Sequence, residues 1–309
     1  MDYNKQKSEV HTKMTLKEFA VMAQTKVAAA LNKKTELKEV IKLNGVKRYG
    51  LIIFDAVINI SPTIYLEPFY GMFLDTQDWN SVINDIIRVY QNNMLDEPMD
   101  TEIFFDFSQV KEKVFYRLIN YEKNRELLEQ MPHTRFLDLA KVFCIQYQNE
   151  DLGSGVIPIY HSHLEHWGIS ADELESVADT NSPILMKSFI SGMDSILTEM
   201  GASQEDLSEA MPEECMPVYV MSNIQKSSGA GTMCYPDVLK VFSEKQNRDV
   251  IILPSSIHEV ILIPMKEGDD INELKVMVHS VNTEMLEPED FLSDNVYIYR
   301  RDTGQIEIA

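Results

Sequence analysis

The sequence predicts an α+β protein: an N-terminal helix plus β-hairpin unit, followed by a duplicated β-β-α unit on a mixed or antiparallel sheet. Three observations carry that expectation. A capping box opens a helix-period run near the start, and an Asn-Gly pair splits two β-type runs just after it. Two later stretches share one order of strand, Gly-x-Gly, strand and helix. Strands and helices mix without strict βαβ alternation, which argues against a doubly wound sheet.

Thr15 with Glu18 forms the capping box, and Leu16, Phe19, Ala20, Ala23, Val27 and Leu31 recur every three or four residues. A helix should therefore run from about Leu16 to Leu31, with Lys33 and Lys34 complementing the negative end of its dipole. LKEVIKL, Asn44-Gly45 and VKRYGLIIF then read as a hairpin, because both central residues of a type I′ turn need positive φ. After Ser61-Pro62, TIYLEPFYGMF reads as helix, and Val82, Ile83, Ile86, Ile87 and Tyr90 continue at helical spacing behind Trp79. Residues 1–14 read as a disordered start and 15–95 as one unit of helix, hairpin and helices. The polar, Pro-containing stretch NNMLDEPMDTE joins it to an α+β unit at 105–309.

Within that second unit, KVFCIQY…GSGVIPIY superposes without a gap on PVYVMSN…GAGTMCYP, so that Val142 lands on Val218, Phe143 on Tyr219, Gly153 on Gly229 and Gly155 on Gly231. Each copy should send an apolar strand into a polar loop, turn it at Gly-x-Gly, and lead by a second strand into a helix. Leu164 with Trp167 marks the first helix and Leu239 with Phe242 the second. The copies span about 138–181 and 216–283. Ser170 with Glu173 caps a helix through Leu174, Val177 and Ala178, and Asp270 with Glu273 one through Leu274, Met277 and Val281. DVIILPSSIHEVILIP gives two strands split by Pro-Ser-Ser, and NVYIYRR a last strand.

Composition narrows the function classes. At 309 residues and 44% apolar content, the chain has material for about two domains of roughly 150 residues. A net charge of −21 leaves no basic surface for a phosphate backbone or an anionic bilayer, so neither nucleic acid nor membrane is an expected partner. Cys144, Cys215 and Cys234 are odd in number, far apart and free of CxxC spacing, which fits a reducing, cytoplasmic setting. The start, MDYNKQKSEVHTK, lacks the apolar run of a secretory signal.

Ser255, Ser256, His258 and Glu259 are the sharpest chemical candidates: hydroxyls, an imidazole and a carboxylate between two buried-strand runs. The plainer reading is a bend at Pro254-Ser255-Ser256, with His258 and Glu259 on opposite faces by strand alternation. Ser256 with His258 and Asp294 would be a serine triad without a nucleophile elbow. His161, His163 and His166 invite a metal reading, but they do not form HExxH, and DVLKVF in the second copy has no His, so no metal is expected. The glycine loops match no phosphate-binding pattern, and Cys144 and Cys234 sit in apolar runs. Tyr65, Phe69 and Tyr70 offer more aromatic area than one core face needs, and serve either as core or as a partner surface.

KLNGVKRYGLIIF with SPTIYLEPFY, RLINYEKNRELLEQMPHTRFLDLAKVF, HLEHWGISADELESVADTN, and ILPSSIHEVILIP with LSDNVYIYRR together resemble an uncharacterised clostridial family, domain of unknown function 5688, over nearly the whole chain after about residue 15. The resemblance implies an intracellular bacterial protein and brings no activity, cofactor or site residue with it. The expected function is a non-catalytic interaction or regulatory module with a protein partner and no cofactor. The alternatives are a hydrolase built on His258, Glu259, Ser255 and Ser256, and a small-ligand-binding protein with its pocket between the two copies.

Overall fold

The structure is a computed structural model that describes residues 14–95, 97–98, 101–149, 153–203 and 217–309. The disordered start expected at 1–14 lies outside the described residues except for Met14, and Cys215 lies outside them as well. The chain divides into two compact units, Met1–Lys42 with Lys47–Asp100, and Leu43–Val46 with Thr101–Ala309. The class is α+β with antiparallel sheets, as expected. Among the described residues no helix is long and apolar enough to cross a membrane.

In the first unit, helix α1 (Leu16–Leu31) opens on the expected reciprocal cap: Thr15 Oγ1 accepts from the Glu18 amide, and Glu18 Oε2 accepts from the Thr15 amide. Phe19, Ala20, Ala23 and Val27 form its buried stripe. Strands β1 (Thr35–Ile41) and β2 (Lys47–Ile53) pair antiparallel. Asn44 and Gly45 take φ of +59° and +72°, and the Val46 amide donates to the Leu43 carbonyl, which is the turn that Asn-Gly announces. The ladder nonetheless ends at Ile41 and Lys47, so Lys42 is one residue in excess, a bulge.

Thr63–Tyr65, expected to start a helix, is instead a third strand, β3, on β2. Three residues that are all β-branched or aromatic suit a pleated edge, and Gly50 opposite leaves the room, since a Cβ there would lie 2.5 Å from Thr63 Cγ2. Helix α2 (Glu67–Thr76) begins only at Glu67-Pro68, followed by α3 (Trp79–Asn92) under an Asp78 cap. Their aromatics close the core, with Phe19 stacked on Trp79 at 5.1 Å.

The second unit holds two short helices, α4 (Phe107–Val110) and α5 (Arg125–Leu128), and two sheets. In the smaller sheet, long strand β6 (Leu139–Asn149) has β4 (Val114–Asn120) on one side, with β5 (His133–Phe136) and β7 (Gly153–Pro158) on the other. Helices α6 (His161–Trp167) and α7 (Ala171–Leu185) follow, and α7 starts as expected with the Ser170 hydroxyl accepting from the Glu173 amide. Then come β8 (Ser188–Gly192), α8 (Met193–Glu199), β9 (Tyr219–Asn223), α9 (Val238–Gln246), β10 (Val250–Pro254), β11 (Val260–Pro264), α10 (Ile271–Glu284), β12 (Tyr297–Arg300) and β13 (Gln305–Ile308). The larger sheet runs β13-β12-β10-β11-β9-β8, antiparallel throughout. NVYIYRR is thus the penultimate strand: Gly304, at φ +68°, lets the chain fold back and add β13. On α10 the buried stripe is Leu274 and Val278, four apart, while Met277 and Val281 face solvent, contrary to the expected face.

The expected duplication is not what the two stretches form. β6 and β7 make a hairpin in the smaller sheet, whereas Gly229–Cys234 is a 3₁₀ segment, and β9 pairs with β8 and β11 in the larger one. Val142 is fully buried in a strand, while Val218 is half-buried and precedes β9. Gly229 gives the physical reason. A Cβ there would fall 2.1 Å from Ser222 Oγ and 2.3 Å from the His258 carbonyl oxygen, so the chain is pressed against β9 and the loop after β10 instead of running out as a ladder strand. At Gly155 a Cβ would meet nothing within 4 Å.

Candidate functional site

Residues 255–259 form the loop between β10 and β11, so strand alternation does not govern His258 and Glu259. The loop closes on itself: the Ser256 hydroxyl accepts from the His258 amide at 3.0 Å, and the Ser256 amide donates to the Glu259 carbonyl at 3.1 Å. The His258 ring leaves that loop. Its Nδ1 lies 3.1 Å from the Ser228 amide nitrogen and its Nε2 3.2 Å from Asp290 Oδ1. An Nδ1 that accepts an amide hydrogen carries no proton, so Nε2 is the protonated nitrogen and donates to Asp290. The His258 carbonyl accepts from the Ser222 hydroxyl, and the Ile257 amide donates to the Asp290 carbonyl. His258 thus ties the loop, the turn before the 3₁₀ segment and residue 290 together.

The other sequence candidates disperse. Asp294 faces His279 at 3.3 Å rather than His258. His163 accepts the Tyr160 amide at Nδ1 and stacks on Trp167; burial, then the neighbouring His166, holds its pKa below the ordinary value. His166 meets the edge of Phe105, and among the described residues no group of His, Cys, Asp and Glu could hold a metal. In the first unit, Lys42 lies 4.3 Å over the Tyr65 ring, Phe69 and Tyr70 pack half-buried on the core, and the Tyr70 hydroxyl donates to the Met14 carbonyl.

The side chains that come together around open space are ones no motif marked. A cavity of about 590 Å³ lies in the second unit, lined by Phe136 and Lys141 from the smaller sheet, Cys234 to Asp237 with Leu239 and Lys240 around the start of α9, and Tyr299 and Ile306 from β12 and β13. Lys141 is placed by β6, where it pairs with Leu118 and Thr134. Its ammonium bonds Asp179 at 2.9 Å and Glu175 at 3.2 Å and lies 4.7 Å over the Tyr116 ring. Burial works to lower its pKa, but the bonds to Asp179 and Glu175 outweigh burial and raise it. Lys240 faces Asp237 at 3.9 Å, beyond hydrogen-bond reach. Burial raises the Tyr299 hydroxyl, with Glu244 and Asp237 adding to it, and pushes the Cys234 thiol up to about 12. The lining is therefore aromatic, with Lys141 held between two carboxylates and Lys240 as its less tightly paired cation, within a strongly acidic chain. The one hint in the sequence is Lys141 itself, a lone cation inside the apolar run LAKVFCI.

A family of unknown function, DUF5688, matches residues 16–301. The chain belongs to this family. What DUF5688 supplies is therefore a sequence kinship that spans both units without an assigned activity. No curated protein and no solved structure matches this DUF5688 chain.

Proposed function

We propose that this DUF5688 protein is a non-catalytic, regulatory binding module that holds a small ligand in the cavity of its second unit. The observation that carries the reading is the lining: a space of about 590 Å³, within the range of small-molecule sites, with Lys240 only loosely paired to Asp237 while Lys141 is held by Glu175 and Asp179, and with Phe136, Tyr235 and Tyr299 as aromatic walls. The chemistry suits a compact ligand with an acidic group and a flat apolar body, the acid meeting Lys240 and the body lying against Phe136 and Ile306. Binding is favoured over hydrolysis at Ser255, Ser256, His258 and Glu259 because both ring nitrogens of His258 are engaged by Ser228 and Asp290, and the Ser256 hydroxyl accepts a main-chain amide. The reading includes a reducing, cytoplasmic setting, supported by the free thiols of Cys144 and Cys234.

The experiment is a thermal-shift screen of aromatic carboxylates and phosphomonoesters on the full chain. A ligand at 100 times its Kd adds about 2.7 kcal/mol, which for a unit of this size raises Tm by roughly 5–10 °C. Ile306→Trp, which fills the cavity from β13, should remove the shift. A panel without a hit, or a shift that survives Ile306→Trp, overturns the proposal.

A further inference from the structure

The larger sheet has two edges, and they are built differently. β13 carries Glu307, ion-paired with Arg300 at 2.6 Å, a charged guard of the kind that keeps edge strands from pairing with other chains. β8, Ser-Phe-Ile-Ser-Gly, carries neither charge nor proline. Its register against β9 fixes which main-chain groups it leaves open. The Ile224 amide donates to the Lys187 carbonyl and the Met193 amide to the Val218 carbonyl, with Ser188↔Asn223 to Gly192↔Tyr219 between them. Residues 187, 189, 191 and 193 therefore face β9, and the N–H and C=O groups of Ser188 and Ile190 and the N–H of Gly192 point away from it, the Gly192 carbonyl being taken up as the N-cap of α8. Among the described residues no strand pairs with that outer side.

Beside this open row runs a groove of about 440 Å³, lined on the β8 side by Ile190 and on the other by Pro236, Val238, Val241, Phe242 and Lys245 of the α9 region. Val241 is 61% exposed although it lies in the middle of a helix. An open ladder edge next to a helix, with apolar area between them, is complementary to one kind of occupant: an extended polypeptide that continues the sheet and lays alternate side chains against the helix.

We propose that β8 and α9 form a docking groove for an extended segment of a partner protein, which adds to the larger sheet as a further strand, with apolar residues at alternate positions and basic residues between them. The basic character follows from charge. Each chain carries −21, so a second copy pairing edge to edge would bring like charges together, while a cationic segment is drawn in. The groove meets the cavity at Pro236 and Asp237 and is otherwise lined by different residues, so the inference stands or falls without the ligand proposed above.

The test uses the full chain and a fluorescein-labelled peptide, Lys-Val-Thr-Val-Lys-Val-Thr-Val-Lys, followed by anisotropy. Saturable binding is expected, with at least a tenfold loss in Ser188→Pro, which removes one outward amide and leaves the bonds to β9 in place. A similar loss is expected in Val241→Lys, an exposed helix position, so folding does not confound both variants. N-methylating alternate peptide bonds of the probe should also abolish binding, whereas the cavity-filling Ile306→Trp should leave it unchanged. The proposal is overturned if no saturation occurs below about 1 mM, if Ser188→Pro and Val241→Lys both bind normally, or if an analogue with Glu for Lys binds equally well. A concentration-dependent dimer that Ser188→Pro dissolves would give the edge to a second copy and overturn the proposal as well.

Discussion

The segments at Gly153–Gly155 and Gly229–Gly231 share their spacing and differ in what surrounds them. The first runs as a strand beside β6, with open space where a Gly155 side chain would stand. The second is a 3₁₀ turn threaded between Ser222, Asn223 and the His258 carbonyl. Gly-x-Gly records that a side chain is missing. It does not record whether the vacancy serves backbone freedom or close approach, and that distinction decides whether a segment becomes a hairpin or a wedge.

The largest effect that would break this contrast is Gly229→Ala set against Gly155→Ala. A methyl group at 229 overlaps a hydroxyl and two main-chain atoms within 3 Å, and the carbonyl of His258 has no flexible end that could yield. The expected destabilisation is about 3 kcal/mol or more, at the upper end for overpacking. At 155 the change should stay within about 0.5 kcal/mol, or stabilise slightly by stiffening the unfolded chain. Urea denaturation of both variants measures the difference. Equal values would mean that the two glycines play one role after all.

Next in size is His258→Leu against His163→Leu. The first strands the Ser228 amide and the Asp290 carboxylate at the wedge, for an expected loss of about 2 kcal/mol. The second frees the Tyr160 amide at the start of a short helix, where water can replace the ring, and about 1 kcal/mol or less should go. Should the order reverse in denaturant titrations, His258 is not the clamp on the 3₁₀ segment that its bonds describe.

Much of the fold was legible because its signals are local. Thr15 with Glu18, Ser170 with Glu173, and Asp270 with the amides of Asn272 and Glu273 each cap a helix within one turn, and Asn44-Gly45 turns a hairpin by its own φ preference. Thr63–Tyr65 and Gln305–Ile308 were illegible because three or four residues are too few to show a period of two. The candidate site was almost wholly hidden. Phe136, Lys141, Lys240, Tyr299 and Ile306 meet only through the packing of strands distant in sequence, and His258 finds its partners at residues 228 and 290. Local patterns can locate a polar loop, but they cannot name its long-range partners.

The smallest effect at neutral pH is the one on which the two segments should agree. Cys144 in β6 and Cys234 at the end of the 3₁₀ turn are both raised by burial, Cys234 from 9.0 to about 12. A thiol whose folded pKa lies above its unfolded value favours the folded state fully below pH 9.0. That contribution is lost as pH rises from 9.0 towards 12, because the unfolded chain ionises first. Cys234→Ser should therefore leave stability at pH 7 little changed and flatten its decline above pH 9. In a Cys215→Ser background, iodoacetamide at pH 8 should label native Cys234 on the order of a thousandfold more slowly than the unfolded chain, from thiolate fraction alone. Cys234 lines the cavity, so a bound ligand should slow it further while Cys144, sealed in the smaller sheet, stays unlabelled with or without one. Rapid native labelling of Cys234 would show a thiolate at the mouth of the cavity, and with it a reactive site in place of a binding one.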